Sequence, residues 1–142
     1  MKYLCMSIVA IFLLSSCAKP PDPAPVAEEP ETLSRTEFTE RVENFFEYEP
    51  LVSGKPSQFL IHLTDLSDGS PVEQAQVTLS VRAKGAGNSL VETQSRIGKV
   101  TGIYVADLTV PNSGDYDIEF HIKNAKLDER MALTDFKVEA TQ

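Results

Sequence analysis

The side chains best placed for metal chemistry are two imidazoles and a row of carboxylates. Asp115, Asp117, Glu119 and His121 occupy alternate positions of one stretch, opposite Tyr116, Ile118 and Phe120. In an extended strand, residues i and i+2 stand on one face about 6.5–7 Å apart. Three carboxylates and an imidazole in such a row could hold a divalent cation loosely, through oxygen and nitrogen. Closing a tight shell needs further ligands from adjacent strands. The same row also describes the solvated outer face of an antiparallel sheet, and the pattern favours that reading. His62 stands between Ile61 and Leu63, so it points away from the core face of its strand. It reads first as a sheet-surface imidazole bonded to a neighbour. Met131 is an isolated thioether, and there is no His-rich or Met-rich tract. No resident cofactor is expected. A weakly bound divalent metal stays open, with His62, His121, Asp117 and Glu119 as candidate ligands.

Covalent catalysis has less to draw on. A hydrolytic triad needs a nucleophile activated by a base that a third group orients. The chain has two histidines on surface faces, no Gly-x-Ser-x-Gly and no phosphate-cradling glycine loop. A non-enzymatic protein is expected.

Cys17 carries the strongest covalent signal. Lys2 supplies a positive start, residues 8–14 an apolar stretch, and Ser15-Ser16 the small residues a signal peptidase needs before its cut. The apolar stretch is shorter than the roughly 20 residues of a spanning helix. Leu14-Ser15-Ser16-Cys17 resembles the bacterial lipoprotein signal. The resemblance implies removal of residues 1–16 and acylation of Cys17, hence a palmitate-bearing envelope lipoprotein anchored in lipid and facing the periplasm. Ala18 in place of Asp after the cysteine implies sorting to the outer membrane by the enteric pattern, while Lys19 would count against it under other bacterial rules. Cys5 would leave with the signal and Cys17 would be consumed, so the mature chain would have no thiol for a disulfide, metal or nucleophile.

The bulk properties restrict partners. The chain has 142 residues and a formal net charge of −8. An acidic chain without a basic cluster argues against nucleic acid and against electrostatic binding to anionic lipid. Membrane contact is then expected from the acyl chains alone, each buried methylene supplying about 0.8 kcal/mol. Residues 17–35 read as the lipidated cysteine and a spacer. Lys19-Pro20-Pro21-Asp22-Pro23-Ala24-Pro25 disfavours helix and inner strand, because each proline lacks a donor and fixes φ. Extended, such a spacer reaches roughly 3.1 Å per residue.

From about residue 36 to residue 142 the period becomes two. Phe59, Ile61 and Leu63 share one face; so do Val77, Leu79 and Val81; so do Tyr104, Ala106, Leu108 and Val110; so do Tyr116, Ile118, Phe120 and Ile122. Residues 42–48 read as a first strand, residues 90–94 as a weak one, and Phe136 with Val138 as a last. Turn chemistry separates them at residues 50–56, 68–71, 85–88 and 111–114. About seven short strands with turns every 8–12 residues predict an all-β, immunoglobulin-like antiparallel β-sandwich.

Three segments carry a family resemblance. They are Glu47-Tyr48-Glu49-Pro50-Leu51-Val52-Ser53-Gly54-Lys55-Pro56-Ser57; Phe59-Leu60-Ile61-His62-Leu63-Thr64-Asp65-Leu66-Ser67-Asp68 with Pro71-Val72; and Gly102-Ile103-Tyr104 with Pro111, Gly114 and Tyr116. Together they resemble the N-terminal sandwich domain of periplasmic adaptor subunits (membrane fusion proteins) of heavy-metal efflux pumps of the RND type. More loosely the chain is similar to YtkA-like and CopC-like envelope domains. No stretch here reads as the helical hairpin or lipoyl-like domain of such adaptors. The resemblance therefore implies a stand-alone accessory module, or the front of an interrupted adaptor gene, in a metal-resistance setting. Its partners would be envelope proteins, efflux-pump components among them. By analogy the loops at 50–56 and 65–71 would touch them, through Leu51, Val52, Asp65 and Asp68. The alternative is a periplasmic metal carrier or sensor using His62 or His121 with nearby carboxylates.

Overall fold

The computed structural model describes residues 19–26, 29 and 31–142. Cys17 and the expected signal segment 1–16 lie outside the described residues. Residues 19–26 are exposed and have no regular secondary structure. The ordered body is built from β1 (Leu33–Phe38), β2 (Val42–Tyr48), β3 (Pro56–Asp65), β4 (Gln76–Ala83), β5 (Val91–Gln94), β6 (Arg96–Ile97), β7 (Ile103–Thr109), β8 (Gly114–Lys123) and β9 (Asp128–Val138). They form two antiparallel sheets, ordered β1-β2-β3-β7-β6 and β5-β4-β8-β9. The chain changes sheet after β3, β5 and β7, so β3 pairs with β7 and β4 with β8 across long separations. This is the all-β, two-layer sandwich expected from the alternation.

The alternation works because one face of each strand must leave water. Every inward residue expected in the four main strands is buried, from Phe59 and Ile61 at 0 % exposure to Tyr116 at 4 %. Phe46, fully buried, joins the layers: its ring lies 4.9 Å from Phe120 of the opposite sheet and 6.0 Å from Phe59 of its own. Tyr48 stacks on Phe59 at 5.1 Å and meets Phe136 edge-on at 5.6 Å. Burial of such side chains contributes about 1.5–3 kcal/mol each before entropy is subtracted.

Two strands exceed the seven expected. β1 uses residues 33–35, which the sequence pattern assigns to the spacer. Its half-buried side is Leu33, Arg35 and Glu37, while Phe38 is 61 % exposed. Arg35 lies 5.1 Å from the Phe136 ring centre and donates to Glu37 and to Asp135. A charged inner edge gives no apolar alternation to read, and it blunts the strand as a template for unwanted pairing. β6 has two residues, too few for a periodic signal.

The buried residues include polar ones, Asn44 and Ser57 most completely. Asn44 is fully buried, its Nδ2 lies 3.8 Å from the Met131 sulfur, and its Oδ1 has no hydrogen-bond partner among the described residues. An orphaned buried carbonyl costs about 1–3 kcal/mol. Asn44→Leu, which keeps the heavy-atom count and the branching at Cγ, is therefore expected to raise the urea midpoint with an unchanged m-value, by about 1 kcal/mol in stability.

Candidate functional site

The register gives the sandwich two poles. At one, Leu33 pairs with Tyr48 and Gly114 with Val138, so the spacer enters beside the 49–55 and 110–113 loops. At the other, Phe38 pairs with Glu43, Gln76 with Lys123, and Lys123 with Asp128. β3 has 10 residues, which separates the poles by about 33 Å.

The four candidate contact residues fall at opposite poles. Leu51 and Val52 lie at the spacer pole and are used internally. Leu51 is 5 % exposed and belongs to the core; Val52 bridges in parallel to Glu139, with Ser53 N–H donating to the Glu139 carbonyl at 2.8 Å. The Leu51 side chain, expected at a contact surface, is packed into the core. Asp65 is also largely built in. It accepts from the Ser67 hydroxyl at 2.7 Å and N–H at 2.9 Å, and its other oxygen lies 3.6 Å from Arg41. Asp68 is exposed and bonded in the same way to Ser70. Asp65 and Asp68, with Glu73, Gln74, Asn124 and Lys126, line an open cleft of about 470 Å³ at the far pole.

These bonds hold the Asp65 and Asp68 carboxyls below the usual carboxylate range, first through the serine hydroxyls and then through the serine N–H groups. The bond from His121 does the same to Asp128, and the bonds from Arg96 and Gln58 to Asp107. A depressed folded-state value stabilises the fold above the unfolded value of about 3.9 and is lost as pH falls through the folded value. These carboxylates are therefore expected to make the thermal midpoint fall as pH drops below about 4, read in melts at stepped pH.

The candidate metal ligands are dispersed. Asp117, Glu119 and His121 do share the outer face of β8, as expected. Glu119 is taken by Arg130 at 2.7 Å and Arg82 at 3.3 Å, and His121 by Asp128 at 2.7 Å. Asp117 pairs across the sheet with Arg82. His62 lies on the other sheet, against the Phe45 ring at 5.2 Å, its Nε2 3.7 Å from Glu47. Among the described residues no three His, Cys, Asp or Glu side chains converge on a point that could hold a metal ion.

The two outer faces differ in kind. On the β5-β4-β8-β9 sheet, cross-strand rows read Gln94–Thr78–His121–Arg130 and Glu92–Ser80–Glu119–Ala132, a polar network closed by ion pairs. On the five-stranded sheet they read Thr36–Phe45–His62–Ile103 and Ser34–Glu47–Leu60–Val105–Arg96. Phe45, Leu60, Ile103 and Val105 are half-buried and form an apolar band around His62. Toward the far pole the band continues into Val100, 61 % exposed, which with His62, Thr64, Pro71 and Ile103 lines a shallow depression of about 270 Å³. Phe38, also 61 % exposed, stands on the same face one strand beyond Glu43. Sequence reasoning missed this band because it followed one register only. The signal was there: Phe45-Phe46, Phe59-Leu60-Ile61 and Ile103-Tyr104-Val105-Ala106 are apolar on both sides of the strand.

Gly102 sets the far edge of that band. Its φ is +82°, its carbonyl accepts the Leu63 N–H at 2.9 Å, and the Leu63 carbonyl accepts the Val72 N–H. Tyr104 pins the same region, its buried hydroxyl donating to the Val72 carbonyl at 2.7 Å and accepting the Ala75 N–H at 3.0 Å. No family model matches the sequence, and a search of curated proteins finds no match.

Proposed function

We propose that this chain is a membrane-tethered, non-catalytic docking module of the bacterial envelope. In this reading it is acylated at Cys17 and faces the periplasm, held by the outer membrane. It serves a heavy-metal efflux or related envelope transport system by binding one of its protein components. The tether rests on the lipoprotein-like segment ending at Cys17, and the transport setting on the adaptor-like segments 47–57, 59–72 and 102–116. The observation that carries docking is the contrast between the outer faces: an apolar band on one sheet, an ion-paired network on the other. A half-buried aromatic and three aliphatic side chains on a solvent-facing sheet are the kind of patch that marks a contact surface. The spacer enters at one pole, so both faces stand clear of the lipid.

Photo-crosslinking residues placed at Ile103 and at Ala132 in the acylated chain test this reading in intact cells. One discrete protein adduct from Ile103, none from Ala132, and loss of the adduct in Cys17→Ala are the expected results. Equal yields from both positions would overturn it.

A further inference from the structure

The docking band is bordered by unneutralised negative charge. Glu43 and Glu47 stand on either side of Phe45 on the outer face of β2, and Glu49 follows beyond Tyr48. Among the described residues neither Glu43 nor Glu49 takes part in an ion pair, and Glu47 meets only the His62 ring, at 3.7 Å. The arginines are engaged elsewhere. Arg35 is held by Glu37 and Asp135, Arg41 by Asp65, Arg82 and Arg130 by Glu119. Arg96, at the opposite border of the band, is neutralised by Asp107 at 2.7 Å. Lys99, in the hairpin beyond β6, is the cation left near that edge.

Resting on the docking reading, we infer that the occupant of this face is a protein surface with an apolar centre and a rim of lysine or arginine. Its apolar side chains cover Phe45, Leu60, Ile103 and Val105, and its cations meet Glu43, Glu47 and Glu49. Complementary charge sets register and raises the association rate, whereas like charges brought together oppose binding. A second copy packed with β2 over β2 would bring Glu43 and Glu47 together, and only a two-fold axis along the strands would set them against the opposite border of the face. Anionic lipid would meet the same repulsion.

Two synthetic amphipathic helical peptides with one identical leucine face test the inference. One carries lysine on its flanks and the other glutamate. Binding is read by fluorescence anisotropy on the acylated chain in neutral detergent micelles. The lysine peptide is expected to bind more tightly by roughly tenfold or more. Glu43→Lys/Glu47→Lys should remove that preference. Asp115→Lys/Glu92→Lys, with the same change in net charge on the opposite sheet, should leave it intact. Equal binding of the two peptides, or equal loss in both double variants, would overturn the charged-rim inference. The docking reading would then stand or fall separately on the Ile103 crosslink. Concentration-dependent dimerisation abolished by Ile103→Lys would assign the face to a second copy. Binding of the unacylated chain to phosphatidylglycerol vesicles would assign it to lipid. Either result overturns the inference.

Discussion

Phe46→Ala is expected to lower the unfolding free energy by about 3–5 kcal/mol. The Phe46 ring is the contact point of the layers, within 6.5 Å of Tyr48, Phe59, Phe120 and Phe136. Truncation removes transfer energy and leaves a cavity between two hydrogen-bonded sheets that cannot close upon it. A domain of this size has about 5–15 kcal/mol in total, so the variant should be partly unfolded near physiological temperature. Urea titration followed by far-ultraviolet circular dichroism checks this. Phe38→Ala serves as the comparison: that ring is 61 % exposed, and its loss is expected to cost under about 0.5 kcal/mol.

Gly102→Ala should be nearly as damaging, by about 2–4 kcal/mol, from two independent causes. A left-handed φ of +82° strains any residue with a Cβ, and that Cβ would lie 2.6 Å from the Pro71 Cβ and 3.2 Å from the Leu63 carbonyl oxygen. Neither neighbour is the free end of a flexible side chain. Gly54→Ala separates the causes, because Gly54 has a similar φ of +72° with open space around it. It should lose only the conformational part, about 1–2 kcal/mol. Hydrogen exchange in Gly102→Ala should quicken first at Leu63 and Val72, whose N–H groups share that corner.

The core was legible in the sequence where one face of a strand is apolar and the other polar, as in β4 and β8. It was obscured where physics breaks the period. In β9, Met131 and Leu133 point inward, and so do Phe136 and Val138. The register shift between Tyr116 and Ile118 adds one residue to β9 there, which moves the inward side from odd to even numbers. Phe136 and Val138 therefore read as an isolated short strand, when β9 begins at Asp128. β1 was hidden because Arg35 and Glu37 occupy its inner side. The turns at Gly69 and Gly85 were legible, since both glycines have positive φ.

The candidate site was less legible, because surface function depends on partners from several strands. The carboxylate row of β8 does lie on one face, as its spacing requires. Its neutralisation by Arg82 and Arg130 needed the β4 and β9 registers, which a single sequence does not fix. Leu51 reads as a loop residue, and the loop's bonding to Glu139 is what carries it into the core. The apolar band is written in residues 45, 60, 103 and 105, because apolar side chains in both registers mean that both sides of a sheet avoid water.

The account stands on the five-stranded face being the working surface, and a matched pair of charge insertions tests it most directly. Membranes carrying the full chain are extracted in mild detergent, and the hydrodynamic size of the species that contains it is measured for the unaltered chain, Ile103→Lys and Ala132→Lys. On the proposed reading, the unaltered chain and Ala132→Lys run as a complex, and Ile103→Lys runs at the smaller size of the folded chain alone. A complex that survives Ile103→Lys and is lost in Ala132→Lys would contradict the account.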